Sequence, residues 1–167
     1  MSSNSESIVA PGDFFGLLEK SGYRWHAKTD PSQAQNGFTV THGTTVLAFH
    51  FKDGVIVAGD RRATAGNSIM YEECDKVIPI DDYTLMAIAG VPATAFEMAR
   101  VLTHNFEYYR RSQMQTMSVE GKIRALSKLL KENVGMAVQG LGVVSPIFAT
   151  YDLKLKKSSI HFFDMLG

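Results

Sequence analysis

The sequence predicts an α+β domain in which sheet stacks on sheet and helices lie outside. Three observations predict it. Thr45, Leu47, Phe49 and Phe51 alternate with Val46, Ala48 and His50, and an Asp53-Gly54 turn leads into the apolar run Val55-Ile56-Val57-Ala58, the pattern of an antiparallel hairpin. Two later stretches carry apolar residues at helical spacing. Two more strand-like runs, 144–153 and 158–163, follow them. The order is therefore strands, two helices, strands. Near-continuous apolar strands need burial on both faces, which stacked sheets with helices outside provide.

Each element has its own signal. Residues 1–43 are rich in Ser, Gly, Asn and Gln and show no sustained strand pattern, so they read as an arm or leader. Within them Asp13-Phe14-Phe15-Gly16-Leu17-Leu18 fits an amphipathic turn of helix capped by Asp13, and 31–37 fits a flexible loop. After the 45–58 hairpin, strands are predicted at 68–71, 76–80 and 84–89. Ala95, Ala99, Leu102, Phe106 and Tyr109 define a helix after Pro92. Ile123, Leu126, Leu130, Val134 and Ala137 define a second after Ser118, a good N-cap. Residues 154–157 join the last two strands.

Composition narrows the function classes. The 167 residues are 45% hydrophobic, enough for one domain with a real core. Lys plus Arg and Asp plus Glu both number 17, and a net charge of zero argues against a nucleic-acid or anionic-membrane partner. The single cysteine, Cys74, excludes an intrachain disulfide and fits a reducing compartment. The N-terminal stretch has no basic region followed by an apolar core, and no run approaches the roughly 20 apolar residues of a membrane span. A soluble cytoplasmic protein without a cofactor or metal is expected.

Four features carry the chemistry: Gly43-Thr44-Thr45, Gly59-Asp60-Arg61-Arg62-Ala63-Thr64, Lys76, and Ala87-Ile88-Ala89-Gly90. Each has a structural explanation when taken alone. The threonines suit a strand. Asp60 and Arg62 suit a solvated strand end. Lys76 suits a sheet edge, and Gly90 suits the break between strand and helix.

Together they form a pattern. "HGTTVLAFHFKDGVIVAGDRRATAGN", "DKVIPIDD" and "AIAG" strongly resemble a proteasome core-particle β subunit of the bacterial type, without an obvious gap from Thr44 to about Arg100. The later elements fit more loosely. The resemblance implies the N-terminal-nucleophile hydrolase fold, a four-layer αββα sandwich spanning 44–167, and a leader at 1–43 removed by self-cleavage between Gly43 and Thr44.

A threonine hydroxyl is a weak nucleophile at neutral pH and needs a base. A free α-amino group, with a pKa of about 7.7 to 8.0, is close to ideal. Cleavage would give Thr44 both groups. The resemblance further implies that Lys76 keeps that amine neutral by its nearby charge, that Asp60 holds Lys76, and that the Gly90 N–H stabilises the oxyanion. Arg62 and Thr64 would shape the site. Ala63, Cys74, Ile78, Ile88, Pro92 and Phe96 would wall an apolar pocket, favouring cleavage after large hydrophobic residues. Unfolded polypeptides would bind extended along a strand edge. The implied partners are α subunits and other β subunits in stacked heptameric rings, and an ATPase ring activator.

The family's chains continue past the equivalent of Gly167, and there they carry a serine and an aspartate of the active-site network. The sequence thus reads as a truncated subunit with a sheet edge and a helix layer uncovered, and poor solubility is expected of it alone. Two alternatives stand beside the catalytic reading. A simpler ATP-dependent bacterial threonine peptidase of the same superfamily lacks a long leader and differs from GDRRAT. A non-catalytic ring subunit typically loses the Gly-Thr junction or the lysine, and both are present here.

Overall fold

The computed structural model describes residues 10–23, 44–65, 68–71 and 73–167. Its first element is a short helix, α1 (Phe14–Lys20). Asp13 caps it as expected, its Oδ1 accepting from Gly16 N at 2.9 Å. This part of the 1–43 segment lies against a later helix, with the Phe14 and Tyr108 ring centroids 5.8 Å apart. The hairpin follows as β1 (Val46–Phe51) and β2 (Gly54–Gly59), in register from Val46↔Gly59 to Phe51↔Gly54. A small hairpin of β3 (Ala63–Ala65) and β4 (Ser68–Tyr71) comes next. Strand β3 was not separately expected.

The main sheet has four antiparallel strands in chain order: β5 (Val77–Asp81), β6 (Thr84–Ala87), β7 (Ile147–Asp152) and β8 (Lys157–Phe162). Between β6 and β7 the chain makes α2 (Pro92–Gln113) and α3 (Val119–Val138). Pro92 opens α2 at its first turn, where a missing N–H costs nothing. Ser118 caps α3, its Oγ accepting from Gly121 N at 3.1 Å.

The core lies between the helices and the main sheet. Met98, Leu102, Leu126, Leu129 and Leu130 from the helices meet Ile80, Met86, Ile88, Val144 and Phe148. The other face of the sheet receives the β1–β2 hairpin, and Ser158 Oγ in β8 donates to Gly54 O at 3.2 Å. The domain is thus an α+β sandwich of helices, sheet and sheet. Strands β6 and β7 are buried on both faces, as their apolar runs predicted. The hairpin corrects that expectation: Leu47, Phe49, Phe51 and Ile56, on its outer face, remain 45–49% exposed. The described elements supply three layers, and this face of the hairpin is the one they leave uncovered.

Candidate active site

The site forms where the first strand begins. Thr44 is half-buried and stands two residues before β1. Its neighbour Thr45 exchanges two bonds with Asp60 at the end of β2: Thr45 N–H donates to Asp60 Oδ1, and Asp60 N–H to Thr45 O, both at 3.1 Å. The hairpin register brings these ends together, because Val46 pairs with Gly59. Gly59 sits at this junction: a Cβ there would crowd a Val46 methyl at 3.2 Å and would lie in ordinary contact, 3.5 Å, with Lys76 Cβ just before β5.

Lys76 precedes β5 and is only 5% exposed. Its Nζ donates to Asp60 Oδ1 and Oδ2, both at 2.9 Å, and to the Arg62 carbonyl at 2.6 Å. Lys76 is the leading cause that holds the Asp60 carboxyl below its ordinary range, with help from the Thr45 N–H. Asp60 therefore links the main chain beside Thr44 to a buried ammonium.

Gly90 closes the arrangement. Val91 N–H donates to Val143 O and Ser145 N–H to Ala89 O, both at 2.8 Å. Gly90 and Val144 then face each other as a pair that exchanges no bond of its own, so the Gly90 N–H is directed away from 143–145. Two residues earlier, on the same side of the strand, Ile88 N–H donates to Lys76 O at 2.8 Å. Among the described residues the Gly90 N–H has no hydrogen-bond partner. Only glycine fits: φ is +117°, and a Cβ would meet Val143 O at 2.1 Å.

The remaining expected residues are placed as follows. Gly43 and most of the 1–43 segment lie outside the described residues, and so does the side chain of Thr64. Arg62 contributes its carbonyl, while its side chain is exposed. Ala63 and Cys74 are buried, and Cys74 N–H donates to Arg61 O at 2.7 Å. Pro92 is half-buried, and Phe96 is exposed on the first turns of α2. Ile88, 3% exposed, belongs to the core cluster, and Ile78 packs against it. Sequence reasoning missed Thr45, Arg62 O and Val143, all of which act through main-chain atoms and leave no side-chain signature. Among the described residues no group of three or more His, Cys, Asp or Glu could hold a metal ion, and no helix is long and apolar enough to cross a membrane.

Fold and site together define a class: α+β sandwich proteins in which a threonine pair leads into the first strand, beside a carboxylate that grips a buried lysine. The family model of the proteasome subunit matches residues 40–167. The chain belongs to the proteasome subunit family and is of the bacterial β type. It is 38% identical to a proteasome subunit beta of Acidimicrobium ferrooxidans, covering 94% of this chain and 57% of the relative. It is 43% identical to one of Streptosporangium roseum, over 78% of this chain and 46% of the relative. It is 41% identical to a proteasome subunit beta 2 of Thermomonospora curvata, over 94% and 59%. The chain spans roughly half the length of these relatives.

Proposed function

We propose that this chain is a threonine-type endopeptidase subunit of a proteasome core particle, acting on unfolded polypeptides. One observation carries the reading: Asp60 binds both the Thr45 N–H and the Lys76 ammonium, so the residue before Thr45 starts beside a buried positive charge. Removal of the leader after Gly43 frees the Thr44 α-amine. The hydroxyl Oγ1 then attacks the substrate carbonyl carbon while that amine takes its proton. The Lys76 charge disfavours a second cation nearby and keeps the amine neutral. The Gly90 N–H receives the developing oxyanion. Assembly with α and β subunits in rings and feeding by an ATPase ring in the cytoplasm belong to the same proposal.

The pocket for the residue before the scissile bond is formed on this reading by Ala63, Cys74, Ile78, Ile88, Pro92 and Phe96. None is charged, so a basic or acidic side chain would lose hydration without gaining a partner. The test uses the full-length protein assembled with its α subunit. Its mature N-terminus is Thr44, the Thr44→Ala chain keeps the leader and is inactive, and peptides with Tyr before the leaving group are cleaved faster than those with Arg or Glu. Any other mature N-terminus ends the nucleophile assignment. Faster cleavage after Arg or Glu ends the pocket assignment alone.

A further inference from the structure

A cavity of about 740 Å³, the size of a small-ligand site, opens at the other end of the helix pair. It shares no residue with the Thr44, Asp60 and Lys76 cluster. Its walls come from the C-terminal half of α2, the start of α3, the turns at Tyr83 and Tyr151–Lys154, and Gly12–Phe14.

Two buried polar side chains line it, each 3% exposed. Lys122 Nζ donates to Asp81 Oδ2 at 2.6 Å and to Thr84 Oγ1 at 2.9 Å, and it lies 5.5 Å from the Phe106 ring centroid. An ammonium has three N–H donors, and these two hydrogen bonds use two of them. The side chain of Asn105, one helical position before Phe106, makes no hydrogen bond among the described residues, and its amide lines the cavity rather than being sealed from solvent. A carboxamide without a protein partner takes an ordered water or a ligand group instead. Both anchors offer donors. The cavity's own carboxylates are already engaged with main-chain N–H groups: Asp13 with Gly16 at 2.9 Å, and Asp152 with Lys154 at 2.8 Å and Leu155 at 3.0 Å. Arg124 stands exposed on the lining, and Tyr83, Tyr109 and Tyr151 supply aromatic walls.

We propose that this cavity binds a small aromatic carboxylate. The carboxylate accepts from the Asn105 amide and the remaining Lys122 N–H, Arg124 neutralises it from the lining, and the ring lies among the tyrosines. The site is independent of the peptidase reading. Because Gly12–Phe14 form part of the wall, it is complete in the chain that keeps its leader region.

The probes are 4-fluorobenzoate and 4-fluorobenzylamine, followed by fluorine NMR with the full-length Thr44→Ala chain. That chain retains residues 12–14 whether or not the parent chain cuts itself at the 43/44 junction. Saturable binding of 4-fluorobenzoate is expected, with none of the cationic probe. Asn105→Leu weakens it about tenfold or more, as loss of a charge-assisted hydrogen bond requires, and Arg124→Gln, an exposed change that leaves the fold alone, weakens it severalfold. Since the Asn105 amide has no internal partner, Asn105→Leu leaves Tm unchanged or raises it. Absence of binding, equal binding of the two probes, insensitivity to both substitutions, a lowered Tm in Asn105→Leu, or a crystal structure from 4-fluorobenzoate solutions with only water on Asn105 would each overturn the proposal.

Discussion

Lys76 Nζ sits 2.9 Å from both carboxylate oxygens of Asp60, yet only the lysine is buried: it is 5% exposed, against 44% for the aspartate side chain. The two ends of the pair therefore respond differently to loss of the partner.

Replacing Lys76 by Met leaves a carboxylate that water can reach, so the fold survives with a small loss of stability. Replacing Asp60 by Asn leaves a buried ammonium with only neutral acceptors. That change costs more, though less than the roughly 3–5 kcal/mol of breaking a fully buried pair, because one partner is partly solvated. Both variants are expected to lose about 10²- to 10⁴-fold in turnover, the usual size of an acid–base contribution. Urea unfolding and hydrolysis of a fluorogenic peptide check the two halves. Lys76→Met that matches the parent in activity would make the lysine purely structural.

The pair also sets a pH dependence. Lys76 lowers the Asp60 carboxyl pKa in the folded chain, so the stabilisation is fully present above the unfolded carboxylate value of about 3.9 and disappears as pH falls through the lower folded value. In Asp60→Asn this contribution is absent at every pH, and the variant's acid limb is flatter than the parent's. Lys76→Met moves the Asp60 titration upward, read from the carboxyl carbon shift in NMR. An unmoved titration would show that the hydrogen bond from Lys76 does not control it.

Gly90 tolerates no side chain. A Cβ would lie 2.1 Å from Val143 O at a φ of +117°, so Gly90→Ala must displace the 143–145 segment. The backbone strain alone is on the order of 1–3 kcal/mol. Displacement also misaims the amide, and loss of one such donor is worth about 10²- to 10³-fold in kcat. Thermal unfolding together with kcat measures both. A variant with parental Tm and kcat would remove Gly90 from the site.

Leu47, Phe49, Phe51 and Ile56 form an apolar patch on the outer face of the β1–β2 hairpin. A patch of this kind drives association. The 167-residue chain alone is expected to self-associate at micromolar concentration. Phe49→Ser with Ile56→Thr, a directly paired couple, suppresses this while lowering stability little, since both are about half exposed. Light scattering and sedimentation follow the change. Equal association of parent and variant would place the sticky surface elsewhere.

Local order was legible in the sequence. Alternation and Asp53-Gly54 specify the first hairpin, period-3.6 spacing specifies α2 and α3, and Ser118 caps where its side chain predicts. The motif residues were legible through resemblance, and the structure brings Thr45, Asp60 and Lys76 into one hydrogen-bonded cluster. What could not be read were the polar members of apolar faces. Asn105, Lys122 and Asn133 occupy buried helix positions that the periodic pattern assigns to apolar residues. Two of them are held by partners outside their own helix: Lys122 by Asp81 and Thr84, and Asn133 by Gly142 O, 2.7 Å from its Nδ2.

By itself the sequence determined the elements and their order, because strand and helix periodicity and turn chemistry act over a few neighbouring residues. It also determined that position 90 carries glycine and that a lysine precedes β5. Only the tertiary structure decided that Asp60 joins Thr45 to Lys76, that Arg62 contributes a carbonyl, and that the Gly90 amide is held open by Val143 and Ser145. It decided as well which face of the first hairpin is buried, since both faces carry apolar residues. These depend on main-chain hydrogen bonds and packing between segments remote in sequence. A carbonyl or amide is the same in every residue, so its role becomes visible only when the fold brings its partner to it.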